Sequence, residues 1–502
     1  MKRRAFVRSA FAAAAATTIP RGPLLAGLYR EAPQVPPDVA AISGDGRELT
    51  LTSQAIADLS ARLRGRVLLA GDDKYDQARQ ILNPSFDKHP ALIAQVTGTA
   101  DVRAAVDFAR ENDGLLVAVK CGGHSASGKS TCDGGLMIDL SLFRDVWVDP
   151  VARRARVTGG SLLGQLDHES MAYDLVTPMG TVSHTGVGGL VTGGGFGRVA
   201  RRYGLSVDNL VSVDVVTADG KLHHASAQEN QDLFWGVRGG GGNFGIVTSF
   251  EFRLHPMQRQ VLGGDILFPM SRARDVLTLF GDYGPVAPDD LQLDLVMVQP
   301  PGGAPGMVGF GVCYCGPASQ ADRAMAPIRR LGTPLVDGVT GMDYVALQRL
   351  HDTDDPRAVA GYLKSGFVSE ITADLVTAIV DGFDGHPERT TQILFQQSGG
   401  AIGRVAPGAT AFSQRDAQAN MLASVAWPYG SDPSEHIAWC RQYWSGLESF
   451  THGFYANDAD SELTAQEVAS NYRQNLERLV AVKNRYDPSN LFRLNSNVAP
   501  TV

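Results

Sequence analysis

His124 stands inside a glycine turn, Cys121-Gly122-Gly123-His124-Ser125-Ala126-Ser127-Gly128, directly after the apolar run Leu115 to Val119. Glycine lets a backbone come close to a flat or anionic ligand. An imidazole held in such a turn is placed as a nucleophile toward that ligand. Two further glycine-dense segments follow. Residues 186–197 hold seven glycines in twelve positions, and Gly239 to Gly245 adds a third cluster. Backbone of this kind donates several N–H groups to a pyrophosphate without a helix terminus. The three segments together predict a chain wrapped around a large cofactor. On its own, His124 reads as a turn histidine with both nitrogens hydrogen-bonded.

The elements that position these segments follow from periodicity. Strands are expected over Val67–Leu69, Pro90–Val96, Leu115–Lys120, Gly135–Leu140 and Ala155–Thr158, with helices over Ser53–Leu63, Thr99–Asn112 and Ser161–Ala172. Leu210–Thr217 and Ile246–Leu254 alternate as strands on either side of the turn Ala218-Asp219-Gly220. A Rossmann reading of Gly193-Gly194-Gly195-Phe196-Gly197 lacks its flanking strand, helix and acidic residue. The character changes near residue 257. Long strands over Val261–Phe268, Leu291–Gln299 and Met307–Tyr314 alternate with helices over Ser271–Tyr283 and Ala318–Leu331. One helix is expected over Glu467–Tyr486, stopped by Asp487-Pro488.

With 502 residues, two large domains are the natural division. Net charge is −8, from 45 basic and 53 acidic residues, which gives no footprint for nucleic acid. Five cysteines lack any CxxC spacing, and the histidines lack metal partners at useful spacing, so no metal is expected. Cys121 and Cys132 could pair, or be small buried side chains. Asp352, Asp354 and Asp355 read as a solvated acidic loop. Lys2, Arg3, Arg4 and Phe6 before the alanines 12–16 form an export leader of twin-arginine type. That route carries proteins already folded around cofactors; without export the protein would be cytoplasmic. No stretch is long enough for a stable membrane span. Oligomeric state is not legible.

Four stretches resemble the berberine-bridge-enzyme-like oxidases of the vanillyl-alcohol oxidase superfamily. They are Lys120 to Ser125 followed by Gly134 to Leu140, the run Gly186 to Gly197, the run Asp232 to Gly245, and the tail through Tyr472, Leu479, Lys483, Tyr486-Asp487-Pro488 and Asn495-Ser496-Asn497. The resemblance implies an α+β fold: a PCMH-type FAD-binding domain of two α+β subdomains, and a substrate domain with a large antiparallel sheet and covering helices. The expected division is a leader over 1–30, the FAD-binding domain over 31–257, the substrate domain over 258–457, and a tail over 458–502 that returns to the first domain.

The same resemblance implies FAD linked covalently through His124. A bond to imidazole withdraws electron density from the flavin and fixes its orientation. Cofactor contacts are implied at Cys121, Gly122, Gly123, Ser125 and Gly128, and at Gly180, Thr181, Val182 and Thr185. They are implied also at Gly188, Gly189, Gly193, Gly194 and Gly197, and at Val247, Asn457, Asn495 and Asn497. Many relatives carry a second anchoring cysteine where this chain has Val182, so a single link of the bacterial type is expected. Some bacterial relatives with one anchor carry Val, His and Thr at the positions of Val182, His184 and Thr185, and there oxygen can react at flavin N5.

For acid–base chemistry the family uses a Tyr-x-Asn-Tyr run, which here is Tyr455-Ala456-Asn457-Asp458, so Asp458 takes the place of the second tyrosine. A buried carboxylate with a raised pKa can take the proton, with Tyr455 as hydrogen-bond donor; the plainer reading of Asp458 is a turn cap. A family carboxylate before a Gly-Gly pair is replaced by Gln396, which orients without taking protons. His184 either faces substrate or bonds loop backbone. The implied activity is hydride removal from an alcohol, sugar or secondary metabolite, with O2 as acceptor and hydrogen peroxide as product. The alternatives are a flavin dehydrogenase with another acceptor, an N5-oxide oxygenase, and a non-catalytic flavin carrier.

Overall fold

The computed structural model describes residues 36–353 and 357–502. The leader, and with it Asp354 and Asp355, lies outside these. Two sheets build the glycine-rich half. In the first, Arg66–Leu68, Leu92–Gln95, Leu136–Asp139 and Val117–Lys120 lie side by side, the first pair antiparallel and the rest parallel. Its central strand Leu92–Gln95 is buried throughout, as a strand covered on both faces requires. The second sheet runs Leu222–Ser226, Leu210–Val216, Ile246–Arg253, Arg154–Thr158 and Val146–Asp149, all antiparallel.

The other half is one large antiparallel sheet. Its order is Val336–Asp337, Gln260–Pro269, Met307–Tyr314, Leu291–Gln299, Thr390–Gln397, Ala419–Pro428 and Val359–Val368, with Thr340–Asp343 added on Gln260–Pro269. Alternation decides its two faces. Leu291, Leu293, Leu295 and Met297 bury into a core with Val276, Leu277 and Phe280 of helix Ala273–Tyr283 and with Leu375 and Ile379 of helix Ala373–Gly382. The opposite face carries Gln396, Asn420 and Phe367, which are paired across three neighbouring strands. Phe367 packs there against Phe196 and Tyr455, so this face looks toward the glycine-rich half.

The tail completes the first half. Leu479, Val482, Tyr486 and Val498 join its hydrophobic cluster. Lys483 and Asp487 form an ion pair at 2.7 Å with both side chains fully buried. Lys483 Nζ also donates to the carbonyls of Asn243 (2.9 Å) and Phe492 (3.1 Å), and Asp487 accepts from the amides of Leu491 (2.7 Å) and Phe492 (2.9 Å). Every charge here is matched, so removing one member strands the other. Lys483→Met is expected to destabilise the fold by about 3–5 kcal/mol, read as a drop in unfolding temperature of the purified protein.

Three local expectations change. The stretch expected as one helix, Glu467–Tyr486, is broken: α-helices Ala465–Asn471 and Leu476–Tyr486 flank the short 3₁₀ turn Arg473–Asn475, whose first residue has φ 48°, outside the right-handed α region. The glycine run from residue 186 is not a loop throughout, since Val187–Gly193 forms a short helix. Asp352 is half-buried and not a free solvated carboxylate, for it accepts from the Ser183 amide (2.9 Å) and hydroxyl (2.5 Å). All five cysteines, Cys121 and Cys132 included, are free.

Candidate active site

His124 leaves the sheet at the end of strand Val117–Lys120. The turn carrying it touches the turn before Val187 through bare backbone. A methyl on Gly122 would lie 2.4 Å from the Gly186 nitrogen, and one on Gly186 would lie 2.4 Å from the Gly122 nitrogen. Only glycine at both positions permits this contact, and it brings His124 against His184 and Thr185. His124 Nε2 lies 2.7 Å from His184 Nδ1, and Thr185 Oγ1 lies 3.4 Å from His124 Nδ1. Burial, reinforced by the neighbouring His184, pushes the His124 imidazole down to about 4. The ring is therefore neutral at physiological pH and keeps a lone pair for bonding. Gly122→Ala is expected to part the two turns at a cost of about 1–3 kcal/mol, measured by thermal unfolding.

A groove enclosing about 1360 Å³ of empty space, its open mouth included, runs away from His124. Cys121, Gly122, Gly123, Ser125, Thr185, Gly188, Gly189, Val247, Asn457 and Asn495 line it. Residues that the sequence reading did not place at the cofactor also line it, among them Lys129, Ser130, Asn243 and Tyr472. Lys129 Nζ donates to the Asn495 carbonyl (3.0 Å), fastening the tail over the first glycine turn. A cation beside Gly128 was the available signal for this residue.

The other expected contacts point elsewhere. Gly128 packs on the Phe86 ring, Gly180 on Leu163 and Gly197 on the Met179 carbonyl. Gly193 backs onto Asn457, and Gly194 onto Phe412 and Tyr455. The reason is the helix Val187–Gly193, which turns the later glycines of the run into the core. Thr181 and Val182 open the turn that presents His184 and Thr185, with the Thr185 amide donating to the Val182 carbonyl (3.1 Å). Asn497 does not line the groove either.

Flavin adenine dinucleotide suits what is present. Methyls on Gly189 and Gly241 would meet nothing within 4 Å, and one on Gly242 only Asn495 at 3.9 Å, so this backbone is bare toward the groove it lines. Ser130 Oγ, Tyr472 Oη and Asn495 Oδ1 line the same groove, buried and without partners, which is costly unless a ligand satisfies them.

Beyond the groove, the tail places the acid–base candidates. Asp458 follows the lining residues Ala456 and Asn457. Burial pushes its carboxyl up to about 7, against a hydrogen bond from Asn420. Asn420 Nδ2 donates to Asp458 Oδ2 (2.9 Å) and to Gln396 Oε1 (2.9 Å), so the two candidates are joined through a residue the sequence reading missed. Only strand register reveals that link. Tyr455 does not reach the groove. Its hydroxyl accepts from the Gly195 amide (2.8 Å) and from Asn457 Nδ2 (2.7 Å), and burial raises its pKa further from use. Through these bonds Tyr455 clamps the glycine run to the tail.

A histidine-bearing glycine groove, a large antiparallel sheet facing it and a buried carboxyl between them define a PCMH-type flavoprotein. Residues 90–226 match the model of the FAD binding domain, and residues 454–499 that of berberine and berberine-like proteins. The chain is 31% identical over 456 residues to (R)-6-hydroxynicotine oxidase of Paenarthrobacter nicotinovorans, covering 87% of this chain and 97% of the relative. It is 31% identical to xylooligosaccharide oxidase of Thermothelomyces thermophilus, covering 82% and 87%. The crystal structure of 6-hydroxy-D-nicotine oxidase from Arthrobacter nicotinovorans superposes with a TM-score of 0.80 at 30% identity, covering 87% of this chain and 98% of that one. The chain belongs to the berberine-bridge-enzyme-like family of FAD-linked oxidoreductases, and it is an enzyme.

Proposed function

We propose that the protein is an oxidase carrying FAD through a single bond to His124, and that it oxidises an alcohol, sugar or hydroxylated secondary metabolite. When bound, FAD would supply a two-electron acceptor for the substrate hydride, with dioxygen as the terminal acceptor and hydrogen peroxide as product. The chain supplies the rest. His124 is neutral, and its Nε2 is engaged by His184, which orients the ring. Ser183 and Asp352 hold the turn that carries His184. Lys129, Ser130, Tyr472 and Asn495 offer polar groups to the cofactor's polar parts. Asp458 takes the proton from the substrate hydroxyl or amine, and Gln396 orients the substrate. Val182 cannot form a second bond, which supports a single link. Export by the Arg3-Arg4 leader belongs to the same proposal, since such a cofactor is fitted before transport.

The observation that carries this reading is the half-buried Asp458 carboxyl, pushed up to about 7 by desolvation, on the same tail segment that lines the groove. General bases are tuned in this way to work near neutral pH. The relatives act, by name, on a hydroxylated alkaloid and on an oligosaccharide, so the test is a panel of both kinds. Anaerobic mixing with a substrate is expected to bleach the flavin, and air to restore the colour with hydrogen peroxide released. Bleaching followed by slow reoxidation in air would make the protein a dehydrogenase. Absence of bleaching by every reduced compound, with flavin bound, would contradict catalysis.

A further inference from the structure

Asn420 is the second residue of strand Ala419–Pro428, an inner strand of the large sheet, with no exposed surface. Register sets it opposite Gln396 on one side and Phe367 on the other. Its amide nitrogen carries two protons, and the structure uses both: one on Gln396 Oε1 and one on Asp458 Oδ2, each at 2.9 Å. The reverse orientation would set the Asn420 oxygen against a carboxylate oxygen, so only this one satisfies both neighbours. Asn420 Oδ1 is left buried and unpartnered, so both of the side chain's hydrogen bonds are spent on Gln396 and Asp458. Among the described residues no bond is made to Asp458 Oδ1.

We infer that Asn420 is a positioning residue for the proton transfer: it holds Asp458 by one oxygen, leaves the other open to substrate, and sets Gln396 beside it at a fixed spacing. The inference rests on Asp458 being the base. Asn420 also decides how readily that carboxyl ionises. A hydrogen bond to a carboxylate favours its charged form, and burial opposes it. Among the described residues no other side chain bonds the Asp458 carboxyl. Tyr455 is the neighbouring titratable side chain and stays protonated, while Lys364 is committed to Asp460 at 2.7 Å and lies 3.8 Å from Glu462. Ser365 bonds only the Asp458 carbonyl (3.1 Å).

The test is an infrared pH titration of the FAD-loaded enzyme, which needs no known substrate. A carboxyl signal that is missing in Asp458→Asn is expected to titrate near pH 7 in the parent protein. Asn420→Leu is expected to move that midpoint up by about one unit. The ionised share at pH 7 then falls from about half to about a tenth, a roughly fivefold loss of working base. Gln396→Leu leaves the Asn420–Asp458 bond in place and is expected to leave the midpoint within about 0.3 unit. Should Asn420→Leu fail to hold flavin, Asn420→Asp keeps the shape. Its second carboxyl beside Asp458 is expected to raise the midpoint as well. An unmoved midpoint in flavin-replete Asn420→Leu, or in Asn420→Asp where that variant serves, overturns the inference. Flavin reduction by substrate at the parent rate in Asp458→Asn would instead remove the base assignment and leave the Asn420 coupling to be judged by the titration alone.

Discussion

Asp458→Asn is expected to keep the flavin and slow its reduction by substrate about 10²–10⁴-fold, the usual contribution of a general base. The amide preserves the bond from Asn420 while removing the proton acceptor, so loss of rate without loss of cofactor is the signature. The parent enzyme carries a matching pH dependence. Desolvation pushes the carboxyl up to about 7, and no cation among the described residues opposes it. A base must be ionised to act, so the rate of flavin reduction rises with pH through 7 and levels above it. At pH 5 about 1% of the carboxyl is ionised, and the rate is expected to be about 10²-fold below its plateau. Stopped-flow reduction measured across pH 5–9 reads both results. A rate that is flat through pH 7 would assign the proton to another group.

His124→Ala is the second large effect. The imidazole sits where the groove begins, neutral and held by His184. With His124 as the proposed anchor, this variant is left with non-covalent contacts alone, and denaturation is expected to release all of its flavin. Loss of the orienting bond is expected to slow reduction by about 10²-fold, in keeping with the cost of a misplaced reactive centre. Acid precipitation followed by absorbance of pellet and supernatant reads the release, and single-turnover reduction reads the rate. Colour that stays in the pellet of His124→Ala would move the anchor to another side chain.

What was legible in the chain was local. The His124 turn, the glycine run and the tail motif are short segments whose residue types carry their own chemical reason. The same is true of the alternating strands Ile246–Arg253 and Leu291–Gln299, each facing a core on one side. What was hidden depends on the register and packing of distant segments. Asn420 is an unremarkable strand residue until antiparallel pairing sets it opposite Gln396 and the tail brings Asp458 over it. Asp352 lies in an acidic run that reads as solvent-facing, but Ser183, 169 positions earlier, reaches its carboxylate. The Glu467–Tyr486 pattern is helical throughout, and the break at Arg473 answers to tertiary packing, not to propensity. Gly193, Gly194 and Gly197 look like ligand glycines by composition; their helix turns them toward Asn457, Tyr455 and the Met179 carbonyl.

The tether between His124 and the flavin is tested most directly by the intact mass of the denatured, chromatographed parent protein, with a peptide map of residues 117–135. The account predicts a single FAD-sized increment on the whole chain, carried by the peptide that holds His124. A bare polypeptide mass from fully yellow starting material would contradict it.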